Sequence, residues 1–171
     1  MRIPNLPIRY HHAVLKAWHA WVAGGFLVAY LTADEDTYAM HLFAGYAVLA
    51  AVVLRLAAGV LAPASSPWRL PRPSVAAVRI WLSTRKGRHP LFAWLAAALL
   101  GGVGLAAVTG ALADGIPWLE DPHAAAANAA LGLIFAHVAF VAFIYGGRRL
   151  FDRAATWLGG ARLAQSKEGS R

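Results

Sequence analysis

Apolar residues run along this chain in four long stretches that are separated by short polar segments. The stretches cover roughly residues 13–32, 39–62, 90–113 and 124–147. An α-helix needs about 20 residues to cross a hydrocarbon core of about 30 Å, and each stretch is at least that long. The pattern therefore predicts an all-α integral membrane protein built as a four-helix bundle. A content of 59% hydrophobic residues agrees with this class.

The same pattern predicts one membrane domain with a short additional helix. The first stretch is expected to be a retained span and not a cleaved signal peptide, because its apolar run is too long and contains His19. Residues 1–150 are expected to form the transmembrane domain, and residues 151–171 a basic cytoplasmic tail. The run Val75–Leu82 includes Arg79 and is typical of a short interfacial helix in the central loop.

The charges are divided between the two sides of these spans. All 16 Lys and Arg residues lie before residue 17, within 55–88 or after residue 147. Six of the 8 Asp and Glu residues lie in the two remaining loops, within 34–36 and 114–121. Basic loops face the cytoplasm, so both termini and the central loop are predicted inside and the acidic loops outside. Anionic lipid accounts for the net charge of +8, and no nucleic-acid partner is expected.

The chain contains no cysteine, and this narrows the chemistry that it can support. Disulfides, iron–sulfur clusters and covalently attached c-type haem are excluded. A redox cofactor would have to be held without a covalent bond, by histidine or by one of the 2 methionines.

Four histidines fall at two matching depths in the predicted spans. His123 and His137 are fourteen residues apart, which is about 21 Å of helical rise and about 40° short of whole turns, so they share a face. His19 and His137 both lie about 9 Å from the inner side, while His41 and His123 both lie close to the outer surface. The spacing therefore predicts an inner pair, His19 with His137, and an outer pair, His41 with His123.

Two imidazoles that face each other across a helical bundle suit bis-histidine haem b. Each neutral ring gives one nitrogen to iron, and its other N–H needs an acceptor. Small residues near the outer pair leave room for a flat macrocycle; they are Gly45, Ala126, Ala127 and Ala130. The alternative is that each histidine is a hydrogen-bonded interfacial residue without a cofactor. His12 is the main rival of His19, because seven residues separate the two on one helix face.

Arg55 stands fourteen residues after His41 and therefore at the depth of the inner pair. A charge at that depth is costly unless it faces the bundle interior and finds a partner. A haem propionate bound by the guanidinium group would be such a partner. The alternative is that Arg55 extends towards the inner lipid headgroups.

Several segments share the pattern of one known family. These segments are Lys16-Ala17-Trp18-His19, His41-Leu42-Phe43-Ala44-Gly45-Tyr46 followed by Arg55, Gly87-Arg88-His89-Pro90-Leu91 through Thr109-Gly110, and His123 with Ala127-Asn128 and His137. Over roughly residues 9–150 the chain resembles the prokaryotic cytochrome b561 family, four-helix di-haem membrane cytochromes related to the b-type subunits of nickel–iron hydrogenases. The chain departs from the family pattern at Trp21, at Arg88-His89 and at Ala124.

The resemblance implies two haem b groups, with His19 and His137 on the inner iron and His41 and His123 on the outer iron. It also implies a bacterial cytoplasmic (inner) membrane protein that carries electrons between a periplasmic partner, such as a cytochrome c or an oxidoreductase subunit, and membrane quinone. Whether the chain is itself a quinone oxidoreductase or the membrane subunit of one is left open. The alternative is a haem-free membrane protein that uses buried His and Arg for proton or ion passage, or that anchors a larger complex.

Overall fold

The computed structural model describes residues 8–147 except positions 64 and 88, and in this part of the chain every regular element is helical. The predicted basic tail at 151–171 lies outside the described residues. Of the described residues, 8–133 and 134–147 belong to two compact units, here called the first and the second unit. The α-helices are α1 (Ile8–Leu31), α2 (Tyr38–Leu61), α3 (Val75–Thr84), α4 (Leu91–Ala113) and α5 (Glu120–Ala142).

Four of these helices, together with short adjoining turns, are long and apolar enough to cross a membrane. Large apolar side chains on their surfaces are exposed, such as Phe43 at 77% and Val60 at 74%. Such a surface suits contact with lipid chains, since a water-soluble protein rarely leaves large apolar patches uncovered. The prediction of an all-helical chain with four membrane-length helices is confirmed.

The sequence located the middle two spans within one residue, but it placed the start of the other two too late. Helix α1 begins at Ile8 and not near residue 13, because its polar first turns continue the helix beyond the apolar run. Helix α5 begins at Glu120 and not near residue 124. Glu120 and Asp121 stabilise that helix start through the helix dipole, and Pro122 is tolerated within a first turn. The acidic loop predicted for 114–122 is correspondingly shorter.

The short helix predicted at residues 75–82 is confirmed as α3. Ser74 caps its N-terminus, where the hydroxyl accepts a hydrogen bond from the Ala77 N–H at 3.3 Å. Arg85 ends it in the left-handed region at φ 52°, and its N–H donates to the Trp81 carbonyl. The apolar side chains of Ile80 and Leu82 are exposed. That α3 lies on the inner membrane surface stays a prediction.

Close packing of α1 against α2 fixes one side of the first unit. A Cβ atom at Gly25 would lie 2.8 Å from Val48 Cγ2, so glycine allows the two helices to approach. The Trp18 indole N–H donates to the Ala51 carbonyl at 2.9 Å and joins the same two helices. Phe26 and Val48 are both buried, and they form part of the wall of the large cavity described next.

Candidate functional site

The first unit contains a cavity of about 670 Å³ whose wall is formed by α1, α2, α4 and the first turns of α5. Ten of its 21 lining residues are alanine or glycine, so missing side chains create much of the space. The volume lies within the range of about 300–1,000 Å³ that is typical of small-molecule and cofactor sites. His41 and His123 both line it.

His41 is oriented by the C-terminal end of α1. Its Nδ1 lies 2.7 Å from the Ala29 carbonyl oxygen. Ala29 belongs to the last turn of α1, where carbonyls have no partner within the helix. Because a carbonyl oxygen only accepts, Nδ1 carries the proton, and in the neutral ring Nε2 keeps its lone pair. The stacked ring of Tyr38, at 5.6 Å between centroids, covers one face of the imidazole.

His123 is oriented by the middle of α4. Its Nδ1 lies 3.0 Å from the Ala106 carbonyl oxygen, so this ring too donates from Nδ1 and leaves Nε2 as the basic nitrogen. A Cβ atom at Gly110 would lie 2.8 Å from His123 Cε1 and 3.0 Å from its Nδ1. The absence of a side chain at residue 110 is therefore what lets the imidazole reach the backbone of α4.

The two imidazoles meet across the cavity. Their ring centroids are 5.9 Å apart, and the ring planes make an angle of 73°. Metal–imidazole bonds are about 2 Å long, so two imidazoles on opposite sides of one metal ion have ring centres about 6 Å apart. Two basic Nε2 nitrogens, each set by an Nδ1–H bond to a carbonyl, are what axial ligation of haem requires. His41 and His123 therefore fit the group that the sequence predicted for them.

Small residues line this site, though not all of those that the sequence predicted. Gly45 and Ala127 line the cavity, as expected. Ala130 is instead fully buried against α4. A Cβ atom built at Gly102 would lie 3.8 Å from Ala130 Cβ. Ala126 is not among the lining residues. Helix α4 contributes more than the sequence assigned to it, through Gly110 and several alanines.

Two tyrosines that the sequence analysis did not single out join the walls of the cavity. The Tyr30 hydroxyl donates to Asn128 Oδ1 at 2.7 Å and so links α1 to α5. The Tyr46 hydroxyl donates to Asp114 Oδ2 at 3.3 Å and so links α2 to the end of α4. Tyrosine near a span end is common in membrane proteins, so the sequence alone does not mark these two residues as part of a site. Their role is visible only in the structure, which places Asn128 and Asp114 within hydrogen-bond distance of the two hydroxyls.

The predicted inner pair is divided between the two units. His19 lies on α1 in the first unit, and His137 lies in the second unit. The pairing of His19 with His137 therefore stays a prediction. The early start of α1 also keeps His12 within the membrane-length helix, so His12 stays a rival ligand. His11 has a structural role, because its Nδ1 accepts a hydrogen bond from the Trp68 indole at 2.7 Å.

The Arg55 side chain contacts other residues of the protein. Its Nη1 donates to the Trp68 carbonyl at 2.7 Å, and its guanidinium group lies 5.8 Å from the centre of the Trp18 ring. The hydrogen bond joins the proline-rich loop that follows α2 to α2 itself. A guanidinium group has five N–H donors, so the bond to Trp68 leaves donors for a carboxylate such as a propionate.

Comparison of the chain with protein-family models, with curated proteins and with solved structures finds no match.

Proposed function

We propose that the chain is a di-haem b electron carrier of the bacterial cytoplasmic membrane, similar in kind to cytochrome b561. Both termini and α3 face the cytoplasm in this proposal, and the cavity with His41 and His123 lies in the outer half of the membrane. His19 and His137 form the inner site. Electrons pass between a periplasmic redox partner and membrane quinone, and haem supplies the reversible one-electron chemistry.

One observation carries the proposal: two imidazoles line one cavity, and each donates from Nδ1 to a backbone carbonyl. The two carbonyls belong to Ala29 and Ala106. The hydrogen bonds fix the tautomer and the ring orientation, so Nε2 of each ring is the nitrogen that would bind iron. The ring separation of 5.9 Å agrees with two ligands on one metal ion. Most of the residues in the cavity wall are apolar or glycine, and such surroundings would influence the redox potential of a bound haem.

The proposal is tested on the full chain purified in mild detergent from cells that make haem. We expect a reduced-minus-oxidised spectrum with a b-type α-band, and a pyridine haemochrome assay that gives two haem b per chain. A chain that folds as a helical protein but gives no haemochrome would support the haem-free alternative, with histidines and Arg55 on a proton or ion path. One haem per chain would refute the two-level arrangement.

The inner ligand on α1 is tested by two matched variants. His19→Ala is expected to reduce the haemochrome value from two to one per chain, because it removes an axial ligand. His12→Ala is expected to retain both, since His12 lies about 10 Å further along the helix. The opposite result would make His12 the ligand. His137→Ala should give the same spectrum as His19→Ala if these two residues share one haem.

A further inference from the structure

A second cavity of about 400 Å³ lies between α2 and α4, apart from the histidine cavity. All of its lining residues are apolar or glycine. On α4 they extend from Ala97 to Val108, which corresponds to about 16 Å of helical rise. We call this cavity the α2–α4 groove. Its length and its apolar wall suit a hydrocarbon chain that lies along the helices.

Two glycines of α4 keep the α2–α4 groove open. A Cβ atom at Gly101 would meet nothing within 4 Å, and one at Gly104 would lie 3.5 Å from Val52 Cγ1. Larger side chains at these positions would fill the space. Inside a helix, each glycine also lowers stability by about 1 kcal/mol relative to alanine. The residues that leave the groove open are therefore not the ones that would make α4 most stable.

The loop after α2 closes one end of the groove and brings positive charge to it. Leu70 and Pro71 line the groove, and a Cβ at Gly59 would lie 2.5 Å from Leu70 Cγ, which shows how closely this loop packs on α2. Arg69 and Arg72 immediately flank the two lining residues; Arg69 is half-buried and Arg72 is exposed. An apolar groove lined by two residues that arginines flank in sequence matches a molecule with a hydrocarbon chain and an anionic head.

The segment of the chain that contains this loop carries charge of one sign. Residues 62–113 contain six Lys and Arg residues and no Asp or Glu. An anionic membrane surface attracts such a segment by about 1 kcal/mol per basic residue. Charge complementarity therefore selects an anionic phospholipid over a zwitterionic one as the occupant.

We propose that the α2–α4 groove is a binding site for an anionic phospholipid, with an acyl chain between α2 and α4 and the phosphate held by Arg69 and Arg72. The bound lipid braces the loop whose Trp68 carbonyl accepts from Arg55. The site requires only that the chain lies in a membrane, and it stands whether or not the chain binds haem.

The test uses the full chain, delipidated in detergent and titrated with phosphatidylglycerol or phosphatidylcholine. Retained lipid is counted by native mass spectrometry, and thermal unfolding is followed by circular dichroism. We expect one phosphatidylglycerol retained about 30-fold more strongly than phosphatidylcholine, which corresponds to about 1 kcal/mol for each of two arginines. Phosphatidylglycerol should also raise Tm, because it binds the folded state. Equal retention of the two lipids would overturn the assignment of the headgroup.

Two variants, each with a matched control, test the acyl-chain site and the headgroup site separately. Gly101→Leu fills the groove and should abolish the lipid-dependent rise in Tm, while Gly24→Leu should not, since Cβ at Gly24 also meets nothing within 4 Å and lies outside the groove. Arg69→Gln with Arg72→Gln should remove the preference for phosphatidylglycerol. Arg79→Gln with Lys86→Gln removes the same charge and should preserve it.

Three results would overturn the proposal. Full retention of phosphatidylglycerol by Gly101→Leu would show that the groove does not hold the acyl chain. An equal loss of preference in both double charge variants would show general attraction to the basic segment and no site at Arg69 and Arg72. A quinone that copurifies and is lost in Gly101→Leu, in place of a phospholipid, would assign the groove to another occupant.

Discussion

Replacement of His123 by alanine is expected to remove one haem b per chain and to leave the other. The variant should also keep the helical fold. The Ala106 carbonyl that His123 contacts still accepts from Thr109 Oγ1 at 3.1 Å, so no carbonyl is left without a partner. His41→Ala should cost more stability, about 1–3 kcal/mol, because it removes the donor to a carbonyl in the last turn of α1. The haemochrome value and circular dichroism measure the two effects.

His89→Ala is the control for this prediction. It removes a histidine outside the cavity, whose ring centre lies 4.2 Å from that of Trp81 with the ring planes tilted by 51°, and the variant should retain both haems. If His123→Ala still binds two haems per chain, His123 is not a ligand. If it loses both haems while its helix content and Tm are unchanged, the arrangement in two levels is wrong.

Replacement of Gly110 by alanine is expected to displace His123 and to weaken or abolish binding of the outer haem. The added Cβ would lie 2.8 Å from His123 Cε1, within the distance at which one group has to move. Moving the ring breaks its hydrogen bond to Ala106 and changes its position relative to His41. The haemochrome value should fall from two towards one, with a changed α-band in any haem that remains in the outer site.

Gly132→Ala is the matched control for Gly110→Ala. Both changes place alanine inside a helix and gain about 1 kcal/mol of helix propensity, but a Cβ at Gly132 meets nothing within 4 Å. Gly132→Ala should therefore fold at least as well as the parent chain. In Gly110→Ala the same gain is offset by the lost hydrogen bond of His123, so this variant should still fold. Loss of haem in Gly110→Ala alone would show a steric effect on His123. Unchanged spectra in both would refute the role given to Gly110.

The helices and the proximity of the outer histidines were predictable because they depend on fixed helical geometry. A rise of about 1.5 Å per residue turns a sequence position into a depth, which placed His41 level with His123. The apolar pattern predicted the short helix after Ser74 and the span at 90–113, which the structure has at Leu91–Ala113. Starts of helices were less predictable, because Ile8 and Glu120 begin helices whose first turns are polar.

The acceptors of the two imidazoles were not predictable from the sequence. They depend on how far each helix is rotated and how closely two helices approach, and neither follows from one helix alone. Gly110 belongs to a segment that carries the family resemblance, but its contact with His123 follows only from the packed structure. Likewise, nothing in the local sequence pairs Tyr30 with Asn128, ninety-eight positions later.

The partners of both cavity imidazoles are main-chain oxygens of alanines, Ala29 and Ala106. A systematic alanine scan would therefore skip these two positions as already alanine, and it would report no residue as the hydrogen-bond acceptor of either histidine. The acceptors can be weakened only by changing the backbone itself, for example by replacing the following amide with an ester. The most important supports of the proposed ligands would thus go undetected by side-chain mutagenesis.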